Sequence, residues 1–338
     1  MKATLTSLAE LEARLPAGHR ARSFEDEDRE AIVRIGNEDA HDLQRGSAEE
    51  WRHWDRLMPD PSRIGVVVAG PSDTVVASAQ LSSGGVSPHP DGAVNGGVRV
   101  QKASRGRGIG STLASFLEAE ARGRRAPRWL SSVSESHPDA LDWSKRRGFR
   151  EIGRRIESYI LVSDFDPAPF AGDVERVRST GLRLSTVREL LDEHGDDARE
   201  ALYRELYDAD AECHADVPFP SPHAHIPYET FRRIAGDERF AADLSVVALD
   251  GERIVSFTTT GRYRERDAIT VMTGTRRAYR GRGAALAVKV EALSRARASA
   301  YRALLTTNDE PNKPMRGINA RLGYRTLPAE IALEKPLG

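Results

Sequence analysis

Two short stretches of the chain contain residue types that can bind an anion. Residues 105–110 read RGRGIG, and residues 280–285 read RGRGAA. Glycine lets the backbone approach a bound group closely. A strand that turns through such a phrase into a helix presents unpaired N–H groups at the positive end of the helix dipole, which suits a pyrophosphate. Neither stretch has the spacing of a dinucleotide-binding G-x-G-x-x-G or of a P-loop, and a purely steric turn is the alternative for either copy alone.

The two phrases belong to an internal repeat. Gly108 and Gly283 lie 175 positions apart, and the same offset separates Gly148 of KRRGF from Gly323 of ARLGY. Two landmarks that share one offset indicate a duplicated unit. Proline and aspartate cluster in residues 163–173, where no periodicity continues. We therefore predict two tandem domains, 1–165 and 174–338.

The same order of elements is predicted around each glycine phrase. β-branched runs around turn residues indicate strands, and apolar residues at i, i+4, i+7 and i+8 after residue 109 indicate a helix. The predicted elements of the two copies are a hairpin (63–82 and 244–261), a strand into the glycine loop (96–100 and 268–275), a helix (from 109, and 284–297), a strand (128–134 and 301–307) and a final strand (158–162 and 331–335). The fold class is α/β (α+β).

Composition excludes several classes of function. The 338 residues include 50 basic and 51 acidic side chains, and this balance argues against a nucleic-acid-binding protein. The single cysteine, Cys213, allows no intrachain disulfide and no Cys-pair metal site, and it is interpreted as a free thiol. We expect no bound metal. Because the sequence shows neither an apolar leader nor a long apolar run, we expect a cytoplasmic protein without a membrane partner.

These features together resemble the GNAT superfamily of acyl-CoA N-acyltransferases, in its tandem two-domain type. That family carries a pyrophosphate loop of pattern Q/R-x-x-G-x-G/A, an asparagine segment after the fifth strand and a closing Leu-Gly-aromatic. The loop residues that match are Arg105, Gly108 and Gly110 in the first half, and Arg280, Gly283 and Ala285 in the second. The asparagines of the second half are Asn308, Asn312 and Asn319, and Leu322, Gly323 and Tyr324 follow them.

The resemblance implies two GNAT-like domains, each with a mixed, mostly antiparallel sheet that is splayed between its fourth and fifth strands and flanked by helices. It implies acetyl-CoA (CoA) as cofactor. The cofactor-binding residues that it implies are Val98, Arg99, Val100, Arg105, Gly106, Arg107, Gly108, Ile109 and Gly110, and Thr273, Gly274, Thr275, Arg280, Gly281, Arg282, Gly283, Ala284, Ala285, Asn308 and Asn312. The implied activity is N-acetylation of a small-molecule amine (an amino sugar, an amino acid derivative or an antibiotic-like amine) by a monomer or homodimer. A CoA-binding module without catalysis is the alternative.

Acyl transfer to an amine requires removal of a proton from the amine. Many family members use a carboxylate on the fourth strand and a tyrosine four residues before the final glycine, and this chain has neither. The candidates for catalysis are Asn319 at the tyrosine position, Asp267 just before the strand, and Asp216. In the first half, Ser144 stands at the tyrosine position and His137 replaces Asn312, so we predict a degenerate first domain and a catalytic second one.

The resemblance implies that residues 207–231, between the first strand and the hairpin of the second half, bind the acceptor. Carboxylates there would suit a cationic amine, and one of them could act as base through a water; ordinary loop polarity is the alternative. Its polar residues are Asp208, Asp210, Glu212, His214, Asp216, His223, His225 and Tyr228.

Overall fold

The computed structural model describes residues 5–85, 87–195, 198–221 and 224–338. Contacts divide the chain into two compact units. Unit 1 comprises Met1–Gly153, Pro220–Ala224 and Glu330–Gly338, and unit 2 comprises Arg154–Phe219 and His225–Ala329. Unlike the predicted domains 1–165 and 174–338, these units do not follow the chain strictly, because the final strand of each half belongs to the other half's unit.

The elements along the described residues are as follows. The strands are β1 (Arg20–Ser23), β2 (Ile64–Ala69), β3 (Val75–Ser82), β4 (Val94–Val100), β5 (Arg128–Ser134), β6 (Arg150–Leu161), β7 (Arg183–Thr186), β8 (Val246–Asp250), β9 (Arg253–Tyr263), β10 (Asp267–Thr275), β11 (Ala303–Asp309), β12 (Arg325–Thr326) and β13 (Glu330–Pro336). The α-helices are α1 (Leu5–Glu12), α2 (Arg29–Asn37), α3 (Ala48–Leu57), α4 (Ile109–Gly123), α5 (Pro138–Arg146), α6 (Ala171–Arg178), α7 (Val187–His194), α8 (Arg199–His214), α9 (Tyr228–Ala235), α10 (Ala284–Ala298) and α11 (Lys313–Arg321). The predicted hairpins, loop helices and flanking strands are confirmed.

Unit 1 is built on a sheet in the order β1-β2-β3-β4-β5-β13. Its neighbouring strands are antiparallel, except that β4 and β5 run parallel. Helix α4 packs its apolar stripe on this sheet, and Leu113 and Leu117 are completely buried beside Val68. The stripe predicted from the sequence is therefore the face that buries unit 1's core.

The last strand of the chain completes unit 1. Strand β13 pairs with β5 along its whole length, from Glu330 opposite Ser134 to Pro336 opposite Arg128. Glu334 in its middle is buried, and it accepts hydrogen bonds from Arg128 Nη1 at 2.7 Å and Arg150 Nε at 2.8 Å. These partners compensate the charge that burial would otherwise penalise. The 175-residue offset matches equivalent positions in the sequences of the two copies. It carries no information about which strands pair, so it could not predict that β13 joins the sheet of unit 1.

Unit 2 repeats the arrangement in the order β6-β11-β10-β9-β8-β7, with β12 paired to β6. Strands β10 and β11 are the parallel pair. Helix α10 packs over this sheet and buries Leu286, Val290 and Leu293 in the main core of the unit. In the part of the chain that the structure describes, no helix is both long and apolar enough to cross a membrane.

Candidate functional site

The parallel strands of unit 2 separate part of the way along their length. The ladder between β10 and β11 covers Asp267–Thr270, opposite Ala303–Thr306. A register shift between Thr270 and Met272 follows, and the bulged residue Val271 is 63% exposed. Beyond the bulge β10 stays paired with β9 as far as Thr275. The opposite edge of residues 272–275 therefore faces the gap, where an extended ligand can pair with it.

Unit 1 separates in the same way. Strand β4 pairs with β5 over Val94–Asn95 and continues beside β3 as far as Val100. The predicted ligand-binding residues Val98, Arg99 and Val100 lie in this last stretch, opposite residues 77–79 of β3. A gap between the fourth and fifth strands of each sheet is thus present in both units, as the resemblance implied.

Each gap is closed at one end by an RGRG loop. Gly106 and Gly108 have φ of +77° and +87°, and Gly281 and Gly283 have φ of +76° and +84°, a left-handed backbone that favours glycine. A Cβ placed at Gly106, Gly108 or Gly281 would meet no atom within 4 Å, so open space lies above the loops. Gly108 and Gly283 are the N-caps of α4 and α10. The loops therefore fit a pyrophosphate, because the first N–H groups of each helix have no intrahelical acceptor.

The first arginine of each loop closes the turn in the same manner. Arg105 Nε donates to the Val100 carbonyl at 3.1 Å, and Arg280 Nε donates to the Thr275 carbonyl at 2.9 Å. The exposed Arg107 and Arg282 follow them in the two loops. The two copies thus share local geometry as well as sequence.

A carboxylate from the preceding helical segment neutralises each loop. Asp216 accepts hydrogen bonds from Arg277 and Arg280, each at 2.7 Å, and these guanidinium groups hold the pKa of its carboxyl far below its usual range. In unit 1, Asp39 lies 2.8 Å from Lys102 Nζ and 3.4 Å from Arg105 Nη1. Asp216 is thus a counter-ion of the loop, and a carboxylate held in this way is a poor base; the geometry does not favour its predicted catalytic role.

Asp267 also lies in a structural ion pair. Its side chain is 2% exposed and accepts bidentate hydrogen bonds from Arg302, whose Nε lies 2.8 Å from Oδ1 and whose Nη2 donates to Oδ2. It begins β10, eight residues before Thr275, or roughly 26 Å along an extended strand from the glycine-loop end. The geometry does not favour this residue as the base either.

The asparagines of unit 2 have distinct structural positions. Asn319 is 3% exposed, and its Nδ2 donates to Asn308 Oδ1 at 2.6 Å, next to the end of β11. Because an amide does not give up a proton near neutral pH, Asn319 can position Asn308 but cannot serve as an acid. Asn312 caps α11 by accepting from Met315 N at 3.4 Å. In unit 1, Ser144 donates to the Ala140 carbonyl of its own helix at 2.8 Å.

The acceptor segment contains a contact that the sequence did not reveal. His225 Nε2 lies 2.7 Å from Asp210 Oδ2, and both side chains are mostly buried. Both residues stand out in the sequence, but they are 15 positions apart and nothing local pairs them. His223, which the sequence also highlights, lies outside the described residues. Within those residues, no group of three or more His, Cys, Asp or Glu side chains is arranged to hold a metal.

The cysteine is inert in this setting. Cys213 is buried, and a Cβ added to Gly274 of β10 would lie 2.6 Å from its Sγ. Burial raises the pKa of the thiol to about 11, so a thiolate is disfavoured at neutral pH. Cys213 therefore packs α8 against β10.

This chain is similar to known proteins in two respects: the sequence of its first domain matches a family model, and its fold matches solved structures. Residues 25–149 match the model of the acetyltransferase (GNAT) family. A GCN5-related N-acetyltransferase from Sphaerobacter thermophilus is similar in structure, with a TM-score of 0.70 and 22% identity, over 96% of this chain and 97% of that one. A tandem GNAT protein from the clavulanic acid biosynthesis pathway gives a TM-score of 0.66 at 16% identity, over 95% and 99% of the two chains.

A third similar structure is part of a larger protein. A glucosamine N-acetyltransferase region of a fungal multi-domain β-N-acetylglucosaminidase gives a TM-score of 0.69 at 11% identity, over 94% of this chain and 38% of that one. No curated protein matches the sequence. At these identities the structural matches establish the fold.

Proposed function

We propose that the chain is a tandem member of the GNAT acyltransferase superfamily and an acetyl-CoA-dependent N-acetyltransferase that acts on a small primary amine. The observation that carries the proposal is the coincidence, in each unit, of a splayed parallel strand pair with an RGRG loop at its end. An open edge of strand and an anion-binding helix N-terminus together match the extended, anionic shape of an acyl-CoA.

The residues of unit 2 have separate tasks in this proposal. Backbone N–H groups of residues 281–285 would hold the pyrophosphate, with Arg282 adding charge at the exposed side of the loop. The free edge of residues 272–275 would pair with the pantetheine arm. Bound acetyl-CoA supplies an acyl thioester. Because α10 begins at the loop and packs over the same sheet, the loop and the strand edge are held in fixed relation.

Unit 2 is the better candidate for catalysis. Its Asn308–Asn319 contact stands at the end of the strand that borders the gap, whereas Ser144 of unit 1 is bonded within its own helix. The family match, however, falls on residues 25–149, so unit 1 keeps the family's sequence pattern. This observation favours a second function for unit 1, the binding of CoA without turnover.

The acceptor is proposed to be a cation. Amino sugars, amino acid derivatives and antibiotic-like amines all enter as ammonium ions near neutral pH. The acceptor segment provides the Asp210 carboxylate and the Tyr207 ring, each in contact with His225, and a carboxylate together with an aromatic ring suits an ammonium group. The fungal neighbour's name specifies glucosamine, so amino sugars belong in the first panel of amines.

Calorimetric titration with acetyl-CoA tests the cofactor assignment through its stoichiometry. Gly283→Glu and Gly108→Glu each place a carboxylate where a pyrophosphate would sit, in unit 2 and unit 1 respectively. Because a side chain is strained at a positive φ, Arg282→Glu and Arg107→Glu place a carboxylate in the same two loops without that strain, and they also remove a positive charge. The exposed Gly172→Glu on α6 is the matched control for an added carboxylate.

We expect the unit 2 variants to lose acetyl-CoA binding at one site and, with it, amine-dependent release of CoA. The unit 1 variants are expected to remove a second site and leave turnover in place. Unchanged turnover in folded Gly283→Glu and Arg282→Glu would overturn the assignment of catalysis to unit 2. Two-site binding without CoA release for any amine of the panel would favour the binding module.

A further inference from the structure

We propose that His225 is the general base of the acyl transfer and that Asp210 is its positioning residue. The inference rests on the proposed function. It assigns a base in a chain that lacks the carboxylate which many family members carry on the fourth strand. His225 Nε2 lies 2.7 Å from Asp210 Oδ2. With the carboxylate ionised, Nε2 carries the hydrogen that Asp210 accepts, and the lone pair is left on Nδ1.

The Nδ1 atom is the ring nitrogen that no protein group occupies among the described residues. It is buried, and it has no hydrogen-bond partner among the described residues. A buried imidazole nitrogen without a partner costs free energy unless something supplies one, so this atom is suited to a bound ligand. The carboxylate–histidine contact fixes both the tautomer and the ring, which is the arrangement that activated bases share.

The ring is held rigidly on its other sides. Tyr207 and His214 of α8 lie 5.0 and 4.8 Å from it, between ring centroids. Tyr207 OH donates to the Ile226 carbonyl at 3.1 Å, which fixes the backbone next to His225. The titratable groups that face His225 are thus Asp210, Tyr207 and His214, all from α8.

The position of α8 brings this pair to the gap in unit 2. Asp210 and Cys213 are three residues apart on α8 and therefore share one face of the helix. Cys213 lies directly against Gly274 of β10, and Tyr207 and Met272 pack on the same apolar cluster. The Asp210–His225 pair consequently stands about one helical turn from residues 272–274, the stretch of β10 that borders the gap.

The proton balance of the step is complete without another reagent. The acceptor arrives as an ammonium, and His225 Nδ1 takes one of its protons and later passes it to solvent. The amine nitrogen then bonds to the thioester carbonyl carbon, and the C–S bond breaks. The second N–H proton ends on the departing thiolate, so the products are the amide, the CoA thiol and one free proton.

The principal test compares His225→Gln and Asp210→Asn with the wild-type protein. Glutamine keeps a polar contact to Asp210 and cannot act as a base. We expect His225→Gln to lower kcat for CoA release by roughly 10²- to 10⁴-fold, with the acetyl-CoA dissociation constant unchanged. Asp210→Asn should lower kcat less and should displace the acidic limb of the pH–rate profile, an effect that a merely structural role would not produce.

The matched control is His89→Gln. His89 is a unit 1 histidine paired with a neutral amide, its Nε2 lying 3.0 Å from Asn95 Nδ2, and its loss should leave kcat in place. A His225→Gln variant that stays folded and keeps kcat within about threefold of wild type would overturn the proposal.

An acceptor-independent measurement separates this inference from the proposed function. Nuclear magnetic resonance of ¹⁵N-labelled histidine observes both ring nitrogens of a buried imidazole, and the His225→Gln and His89→Gln variants assign the signals. Saturating acetyl-CoA should shift the Nδ1 signal of His225 and leave the ring signals of His89 in place. Binding of acetyl-CoA without a shift at His225 would overturn the base assignment alone, whereas failure of acetyl-CoA to bind would overturn the proposed function and this inference with it.

Discussion

Lys289 offers a quantitative test of how the core of unit 2 is built. This side chain lies in the middle of α10, is 2% exposed, and its Nζ has no hydrogen-bond partner among the described residues. The centroid of the Tyr324 ring lies 5.3 Å from Nζ. Burial lowers the pKa of the amine from 10.5 to about 7. We therefore expect Lys289→Met to stabilise the protein at neutral pH.

The magnitude follows from linkage. The folded pKa of Lys289 lies below the unfolded value, so between about pH 7 and pH 10.5 the unfolded chain binds more protons and stability rises with pH. At pH 7 the difference corresponds to a destabilisation of roughly 4 kcal/mol, since each pKa unit is worth about 1.4 kcal/mol. The cation–π contact with Tyr324 offsets about 0.5–2 kcal/mol of it. Methionine has a similar length and no charge, so the variant should gain roughly 2–4 kcal/mol at pH 7.

Urea unfolding at several pH values measures this effect. Far-UV circular dichroism follows both units, whereas the four tryptophans (Trp51, Trp54, Trp129 and Trp143) all lie in unit 1 and report on it separately. The difference between variant and wild type should be largest at pH 7 and should shrink towards zero by about pH 10.5. Comparing the two proteins at each pH cancels the titration of every other group. A difference that is independent of pH, or a variant that is less stable than wild type at pH 7, would refute the reasoning.

Three further substitutions test individual contacts. Arg302→Met should destabilise unit 2 by roughly 2–3 kcal/mol, because Asp267 is left buried without its partner, and Asp267→Asn in the same chain should restore much of this in urea unfolding. Gly274→Ala should cost roughly 1–3 kcal/mol, because its Cβ would lie 2.6 Å from Cys213 Sγ, 2.7 Å from Cys213 Cβ and 2.9 Å from the Phe257 ring; a variant as stable as wild type in urea unfolding would argue against the clash. Asp216→Asn should bind acetyl-CoA severalfold more tightly in calorimetry, because the loop arginines lose a competing anion; unchanged affinity at low ionic strength would contradict the counter-ion role.

Much of the fold was predictable because its signals are local. The hairpin turns, the glycine loops and the stripe on α4 each lie within some 20 residues of sequence, and each appears where expected. The glycines of the loops adopt a left-handed backbone, which glycine allows because it has no Cβ, and this property too depends only on the local sequence. The offset between Gly108 and Gly283 was sufficient to predict two related units.

The rest depends on partners that are distant in sequence. The sequence around β6 and β13 predicts strands but not which sheet each one joins. Asp267 is a candidate base from its place just before the fourth strand, and Asp216 from its place in the acceptor segment, yet their arginine partners lie 35 and 64 positions away. The His225–Asp210 contact depends on how residues after α8 fold back over it. Tertiary contacts of this kind change the chemistry of a side chain without leaving a pattern in the sequence.

The exchanged final strand has a consequence for synthesis in the cell. A ribosome that has made residues 1–153 has made nearly all of unit 1, but the strand that covers the edge of β5 begins only at Glu330, 177 residues later. At about 5–20 residues per second, that edge waits roughly ten to forty seconds for its partner. An open strand edge invites pairing with other chains during this interval. Unit 1 therefore stays incomplete until residues 330–336 have been made, and truncation of the chain near residue 329 would damage the half that was made first.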